Sequence, residues 1–219
     1  MPTHNPSPQR DLVLYGGWYL AEVFGELAEI TGWNVLGCVD PAPADGVESL
    51  VRIPPDAACM AAIGDNRLRH WVNKQLLEHG RDLATLIHPS AVISPSATIG
   101  AGCYIGESAI VRTSAKVGDG AMVNAGGIVS HHASLGRNST LGPNAAMASR
   151  TCVGEAVMVG VGACIRPCVN VGDWATVGAG SVVVRNVRDE VTVVGNPAIE
   201  IVASGSVTPQ SDWFRNKVW

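Results

Sequence analysis

A parallel β-helix preceded by a small Rossmann-like α/β domain is the fold class this sequence predicts, on three observations. Seventeen consecutive hexads run from Leu86 to Val187 without a break in phase. Aromatic residues make up 5% of the chain and charged residues 16%, while glycines number 25. Ahead of the repeat, short apolar runs alternate with stretches of helical spacing, which is the pattern of β-α-β units.

The elements follow in order. The opening "MPTHNPSPQR" is polar and proline-rich, unlike a signal peptide, and reads as a loose tail over residues 1–10. "DLVLYGG" is a short buried strand ending in glycines, and "LAEVFGELAEIT" has the apolar spacing of a helix. "WNVLGCVD" is a second strand closing on Asp40, followed by the proline-rich loop "PAPADG". "AACMAAIGDN" then supplies a third strand, and "RLRHWVNKQLLEHG" a helix ended by Gly80. These fill an α/β domain over residues 11–84. In parallel sheets of this kind ligands bind at the carboxyl ends of the strands, here Gly16, Gly17, Asp40, Gly64 and Asp65.

The prism occupies residues 85–199. Its hexads read LIHPSA, VISPSA, TIGAGC and so on to TVGAGS and VVVRNV, and the second place is Ile, Val, Leu or Met in all seventeen. A six-residue period marks a parallel β-helix. In a three-sided coil each hexad supplies one short strand and one corner. The second-place aliphatic points into a narrow prism, the small sixth residue fits beside the corner, and the frequent third-place glycine accepts corner dihedrals closed to bulkier residues. Three hexads close a coil, so residues 18 apart stack on adjacent rungs and the repeat makes between five and six coils. Aliphatic side chains fill such a prism and aromatic ones do not fit, which accounts for the composition. Residues 200–219, ending in "SDWFRNKVW", lie outside the repeat as a C-terminal tail suited to capping the open end or to packing on a neighbour.

Charge and hydropathy exclude several classes. A net charge of −4 gives no footprint for nucleic acid or anionic membranes, and no apolar run approaches a membrane-spanning length. The six cysteines form no framework, which fits reduced thiols in a cytoplasmic protein. The pair in "CIRPC" has no histidine or further cysteine near it, so no metal is expected there.

The [LIV]-G-x-x-x-x repeat resembles that of the hexapeptide-repeat acyltransferases. That resemblance implies left-handed coils and homotrimers with acyl-donor sites in the grooves between subunits. The whole arrangement, an α/β domain, then "GDNRLR", "LATLIHPSAVIS" and a prism ending in "VVGNPA", is similar to one subfamily over residues 11–199. These are the sugar O- and N-acetyltransferases of bacterial surface-glycan biosynthesis, acting on sialic acid or on nucleotide-linked 4-amino-sugars. The resemblance implies acetyl-CoA as cosubstrate, no metal, and a sugar or nucleotide-sugar acceptor.

Acetyl transfer from a thioester needs an amine or hydroxyl relieved of its proton during attack, and histidine suits that role at neutral pH. The family places its base at a prism corner after an aliphatic strand, followed by an acid. "IVSHHASLG" occupies that place, which makes His131 the base and puts His132 where the acid stands. His132 as base with His131 supporting it is the reserve assignment. Nine residues on, Thr140 stands where relatives carry a second histidine near the acceptor. The family's glycine-rich loop becomes "YGGWYLA", with Trp18 and Tyr19 in place of small residues and Leu20 where the family often carries His or Phe. Ser149, Pro167 and Arg185 stack one, two and three coils beyond His131. By the match to the family, backbone around Ser149, Val161 and Ala179 would hold the pantetheine arm. Arg166, Arg185 and Arg188 would meet the anionic end of the cofactor. His88 reads as a structural corner, and His4, His70 and His79 carry no role. Adjacent side chains on a corner diverge, which argues against a three-histidine zinc site of the carbonic anhydrase type. The departures from the family motif leave a catalytically altered trimeric scaffold as the alternative.

Overall fold

The structure is a computed structural model that describes residues 10–39 and 54–201. Strands β1 (Arg10–Tyr15), β2 (Trp33–Val39) and β3 (Ala58–Ala61) form a parallel sheet in the order β2-β1-β3. Helices α1 (Trp18–Ile30) and α2 (Asn66–Glu78) cover its two faces. The alternation of β1 decides which helix each residue meets. Leu12 and Leu14 pack with Phe24, Leu27 and Ala28 of α1, whereas Val13 and Tyr15 pack with Val72 and Leu76 of α2. The α1 side also reaches the solenoid, where Phe24 stacks on Tyr104 with ring centroids 4.3 Å apart.

From Leu86 the chain winds into a solenoid of about six coils with three faces of eight, six and five strands, all parallel but the last strand of the first face. Leu86 pairs with Tyr104, Val92 with Ile110 and Thr98 with Lys116, each 18 residues on, as the repeat requires. Second-place residues such as Ile105, Val123, Leu141, Val159 and Val177 are buried in one continuous core, and the sixth-place alanines 109, 115, 121 and 133 line it. The last coil is shorter: Thr176 pairs with Thr192, after which Ile199–Ile201 folds back antiparallel on Thr192–Val194.

The corners depart from expectation in one respect. Left-handed backbone falls on the fifth place of the hexad, at Ser108, Ser114, His132, Asn138, Asn144, Arg150, Ala156, Cys168 and Trp174, and at the fifth-place glycines. The third-place glycines answer a different need. A Cβ at Gly160 would lie 2.6 Å from the Ala179 nitrogen and 2.9 Å from the Gly178 carbonyl carbon. The next coil crosses too close to admit any side chain there.

Helix α2 lies across the corner between the third and first faces. Its side chains grip carbonyls of fifth-place residues on three successive coils: Arg69 Nε donates to Gly120 (3.0 Å), Arg69 Nη2 to Asn138 (2.7 Å) and Asn66 Nδ2 to Ala156 (3.2 Å). On the next coil Arg67 lies 4.7 Å over the Trp174 ring, and His70 meets the same ring edge-on. His70, assigned no role from sequence, also places Nδ1 3.0 Å from Glu155 Oε1, so it belongs to this seam.

Candidate active site

His131 and His132 are the fourth and fifth places of one hexad, at the corner between the second and third faces. Both are exposed. His132 has φ +60°, and its N–H donates to the Thr113 carbonyl of the preceding coil, while the His131 carbonyl accepts from Arg150 N of the next. The corner is thus stitched from both sides, which orients the two side chains. Contrary to the expected divergence, the rings converge: Nδ1 of each lies 3.2 Å from Nδ1 of the other, with ring planes at 88°. Only one proton fits between two facing Nδ1 atoms. One ring donates, the other accepts, and the donor's Nε2 keeps its lone pair outward. A neutral imidazole therefore fixes its neighbour's tautomer, as a carboxylate would, but without adding negative charge.

The charges around this corner are of one sign. Across residues 94–96, 112–114, 130–132, 148–150, 166–168 and 184–186 stand four arginines, two histidines and no acid. Arg112, Arg150, Arg166 and Arg185 are exposed, and none pairs with a carboxylate among the described residues. The opposite bias holds at the corner under α2, with Asp119, Glu155, Asp173 and Asp189. There the carboxylates of Asp119 and Asp173 accept from Ala101 N and Glu155 N of the coil before. Cationic side chains held along one ridge draw in a polyanion.

His131, His132, Ser149, Arg166 and Arg185 therefore share one corner. Arg112 and Arg150 complete it and escaped the sequence reading, although adding 18 to His132 gives Arg150 directly. Val161 and Ala179 do not share it: they sit one coil apart on the corner between the first and second faces, a full face away. Arg188 is engaged elsewhere, its Nη2 donating to both carboxylate oxygens of Glu200 at 2.8 and 2.7 Å. Gly16 closes β1 where a Cβ would strike the Ala62 carbonyl, and Gly17 is the exposed N-cap of α1 with open space around it. Thr140 is buried; its hydroxyl donates to Asn66 Oδ1 (2.7 Å) and accepts from Arg69 Nη2 (2.8 Å). His88 holds its own turn through Ser90, 2.7 Å from Nδ1. Asp40 and His4 lie outside the described residues, as does the side chain of Trp18. Among the described residues no group of three or more His, Cys, Asp or Glu is arranged to hold a metal. No described helix is long and apolar enough to cross a membrane.

The solenoid and its N-terminal sheet match solved structures over most of the chain. PerB from Caulobacter crescentus, crystallised with CoA and GDP-perosamine, is 36% identical with a TM-score of 0.83, over 88% of this chain and 97% of that one. This chain belongs to the hexapeptide-repeat sugar N-acetyltransferase family. A second member, the acetyltransferase domain of PglB from Neisseria gonorrhoeae, is 30% identical with a TM-score of 0.82, over 88% of this chain and all of that one. Among curated proteins, UDP-N-acetylbacillosamine N-acetyltransferase of Bacillus subtilis is 42% identical over 60 residues, which spans 28% of that enzyme's length. No protein-family model matches the sequence. Within this sugar N-acetyltransferase family the solenoid matches the left-handed β-helix acetyltransferase fold.

Proposed function

We propose that this protein transfers the acetyl group of acetyl-CoA to the amino group of a nucleotide-linked amino-sugar, in glycan biosynthesis, with His131 as general base. One observation of the molecule carries this reading. Among the described residues the histidine pair stands on a ridge whose charged neighbours are four arginines, a setting that suits a thioester donor and an acceptor that both bear phosphates. The relatives' crystallised ligands point to the same chemistry. The β2-β1-β3 sheet is read as Rossmann-like, its carboxyl end at Gly16, Gly17 and Gly64 receiving the nucleotide-sugar. The uncapped N-terminus of α1 at Gly17 points its N–H groups to that end and suits a diphosphate.

In the proposed step the neutral amine attacks the thioester carbonyl carbon as His131 Nε2 takes a proton from the nitrogen. His131 Nδ1–H donates to His132 Nδ1 throughout, so the imidazolium keeps a hydrogen-bond acceptor at its back. The tetrahedral intermediate collapses with cleavage of the C–S bond, and the departing thiolate recovers the proton, giving the amide and CoA. Ser149, Arg166, Arg185 and Arg150 serve the donor from the same ridge. Val161 and Ala179 reach it only from a second copy, because within one chain a face roughly 15–20 Å wide separates the two corners. A homotrimer with donor grooves between subunits is the arrangement this favours. The test is incubation with acetyl-CoA and a panel of nucleotide 4-amino-sugars, sialic acids and free amino-sugars, following thiol release. Turnover confined to nucleotide amino-sugars is expected. No turnover on any acceptor, together with no detectable CoA binding, points instead to the catalytically altered or inactive scaffold.

A further inference from the structure

Among the described residues Arg69 is the largest side chain withdrawn completely from solvent, and its guanidinium forms no ion pair with a carboxylate there. An isolated buried charge is strongly disfavoured unless oxygen acceptors surround it. Here five do. Nη1 donates to the Ile63 carbonyl (2.7 Å), and Nη2 is within 2.7 Å of Asn66 Oδ1. The remaining three are the Gly120 and Asn138 carbonyls and the Thr140 hydroxyl, all on the solenoid. The acceptors therefore divide into two groups. Ile63 and Asn66 bracket the turn leaving β3, at the carboxyl end of the N-terminal sheet. Gly120, Asn138 and Thr140 belong to two successive coils. The grip extends sideways too: Asn66 reaches Ala156 on a third coil, and an added Cβ at Gly64 would lie 3.3 Å from Leu20 Cδ1, so the first turn of α1 rests on the same turn. The corner is shaped to receive it, since a Cβ at Gly120 would be driven into Asn138 Oδ1 and Asn73 Nδ2.

We infer that Arg69 is a positioning residue for acetyl transfer: it fixes the carboxyl-end turns of the N-terminal sheet against the solenoid, and so sets where the acceptor amine is presented. The inference rests on the reading that the acceptor binds at that end of the sheet. A planar fork with donors on three nitrogens can bridge two backbone segments and a hydroxyl at once; an ammonium at the end of a flexible stem cannot hold them at fixed angles. Because donor residues lie on other corners, loosening this clasp should separate the two substrates kinetically. In Arg69→Met, acceptor kcat/KM should fall about 10- to 100-fold, the size expected for a small misplacement of a reacting group. The acetyl-CoA KM should stay within about twofold, and Arg69→Lys should fall between Met and wild type.

Two measurements decide it. The first is steady-state kinetics in both substrates on Arg69→Met, Arg69→Lys and Asn66→Ala. Asn66→Ala removes one acceptor and the hook to Ala156 while leaving the guanidinium in place, and it carries the test if Arg69→Met does not fold. The second is amide hydrogen exchange over residues 61–66, which needs no acceptor. Faster exchange there with unchanged protection in the solenoid supports the clasp. Unchanged exchange, or equal losses for both substrates in a folded variant, overturns it. Absence of turnover by the wild type would count against the proposed activity alone, since the exchange experiment still reads the clasp.

Discussion

His131 and His132 differ less in chemistry than in backbone. His132 occupies a left-handed residue and His131 does not, yet their Nδ1 atoms face each other at 3.2 Å. Removing the base should therefore cost more than removing its support. His131→Ala is expected to lower kcat by about 10²- to 10⁴-fold, and His132→Ala by less, as measured by thiol release at saturating acetyl-CoA. His132→Asp should keep activity at or above the wild-type level, because Asp tolerates the left-handed corner and supplies the missing charge. A larger loss in His132→Ala than in His131→Ala reverses the two roles. The pair itself was legible in the sequence, from its place in the hexad. Its convergence was not, because the direction of each ring depends on the positive φ at one of two adjacent residues.

At the scale of the element, the hexad shows why some of the fold reads directly and some does not. The second-place aliphatics recur because each must enter the same dry prism, so the register is carried by residue type. The fifth place carries no such mark: Ser, His, Asn, Arg, Ala, Cys and Trp all adopt the left-handed conformation there. Each costs about 1–2 kcal/mol, a cost offset in part by the coil-to-coil hydrogen bond that its N–H completes. The third-place glycine is a matter of space, and Gly160→Ala tests it. Pressing a methyl into the Ala179 backbone should destabilise the protein by about 1–3 kcal/mol, seen as a lower urea midpoint with an unchanged m-value. A loss smaller than about 0.5 kcal/mol would mean the next coil yields freely. The α2 seam has no such register: Asn66 and Arg69 fall within "GDNRLR", but with Asn73 they have the spacing of the polar face of an ordinary surface helix, and nothing in residue type shows that this face is buried.

Taken whole, the molecule joins an acidic corner held under α2 to a cationic ridge that carries the histidines. Ionic strength should separate the two: raising salt is expected to increase KM for acetyl-CoA through screening of Arg112, Arg150, Arg166 and Arg185. Arg150→Gln should weaken that dependence, and an unchanged salt slope in the variant would remove Arg150 from the donor's reach. Stability has its own pH limit. Burial pushes the Cys103 thiol up to about 12 and the Cys59 thiol up to about 11, and raises the Tyr104 phenol to about 12. The folded protein thus keeps protons that the unfolded chain releases above its ordinary thiol value of 9.0. Stability is complete below that value and is lost progressively as pH rises through 11 to 12. Urea midpoints should fall between about pH 8 and about pH 10, and flat midpoints would show these groups to be solvated.

The most direct measurement is of the product. Wild-type protein is given acetyl-CoA labelled in the acetyl carbons together with a GDP- or UDP-linked 4-amino-sugar, and the nucleotide-sugar is analysed by mass spectrometry and NMR. One labelled acetyl group is expected, in amide linkage to the sugar nitrogen, formed in step with free CoA and abolished or slowed about 10²-fold or more in His131→Ala. Label on a hydroxyl oxygen, or amide formed at the wild-type rate without His131, would contradict the proposed reaction.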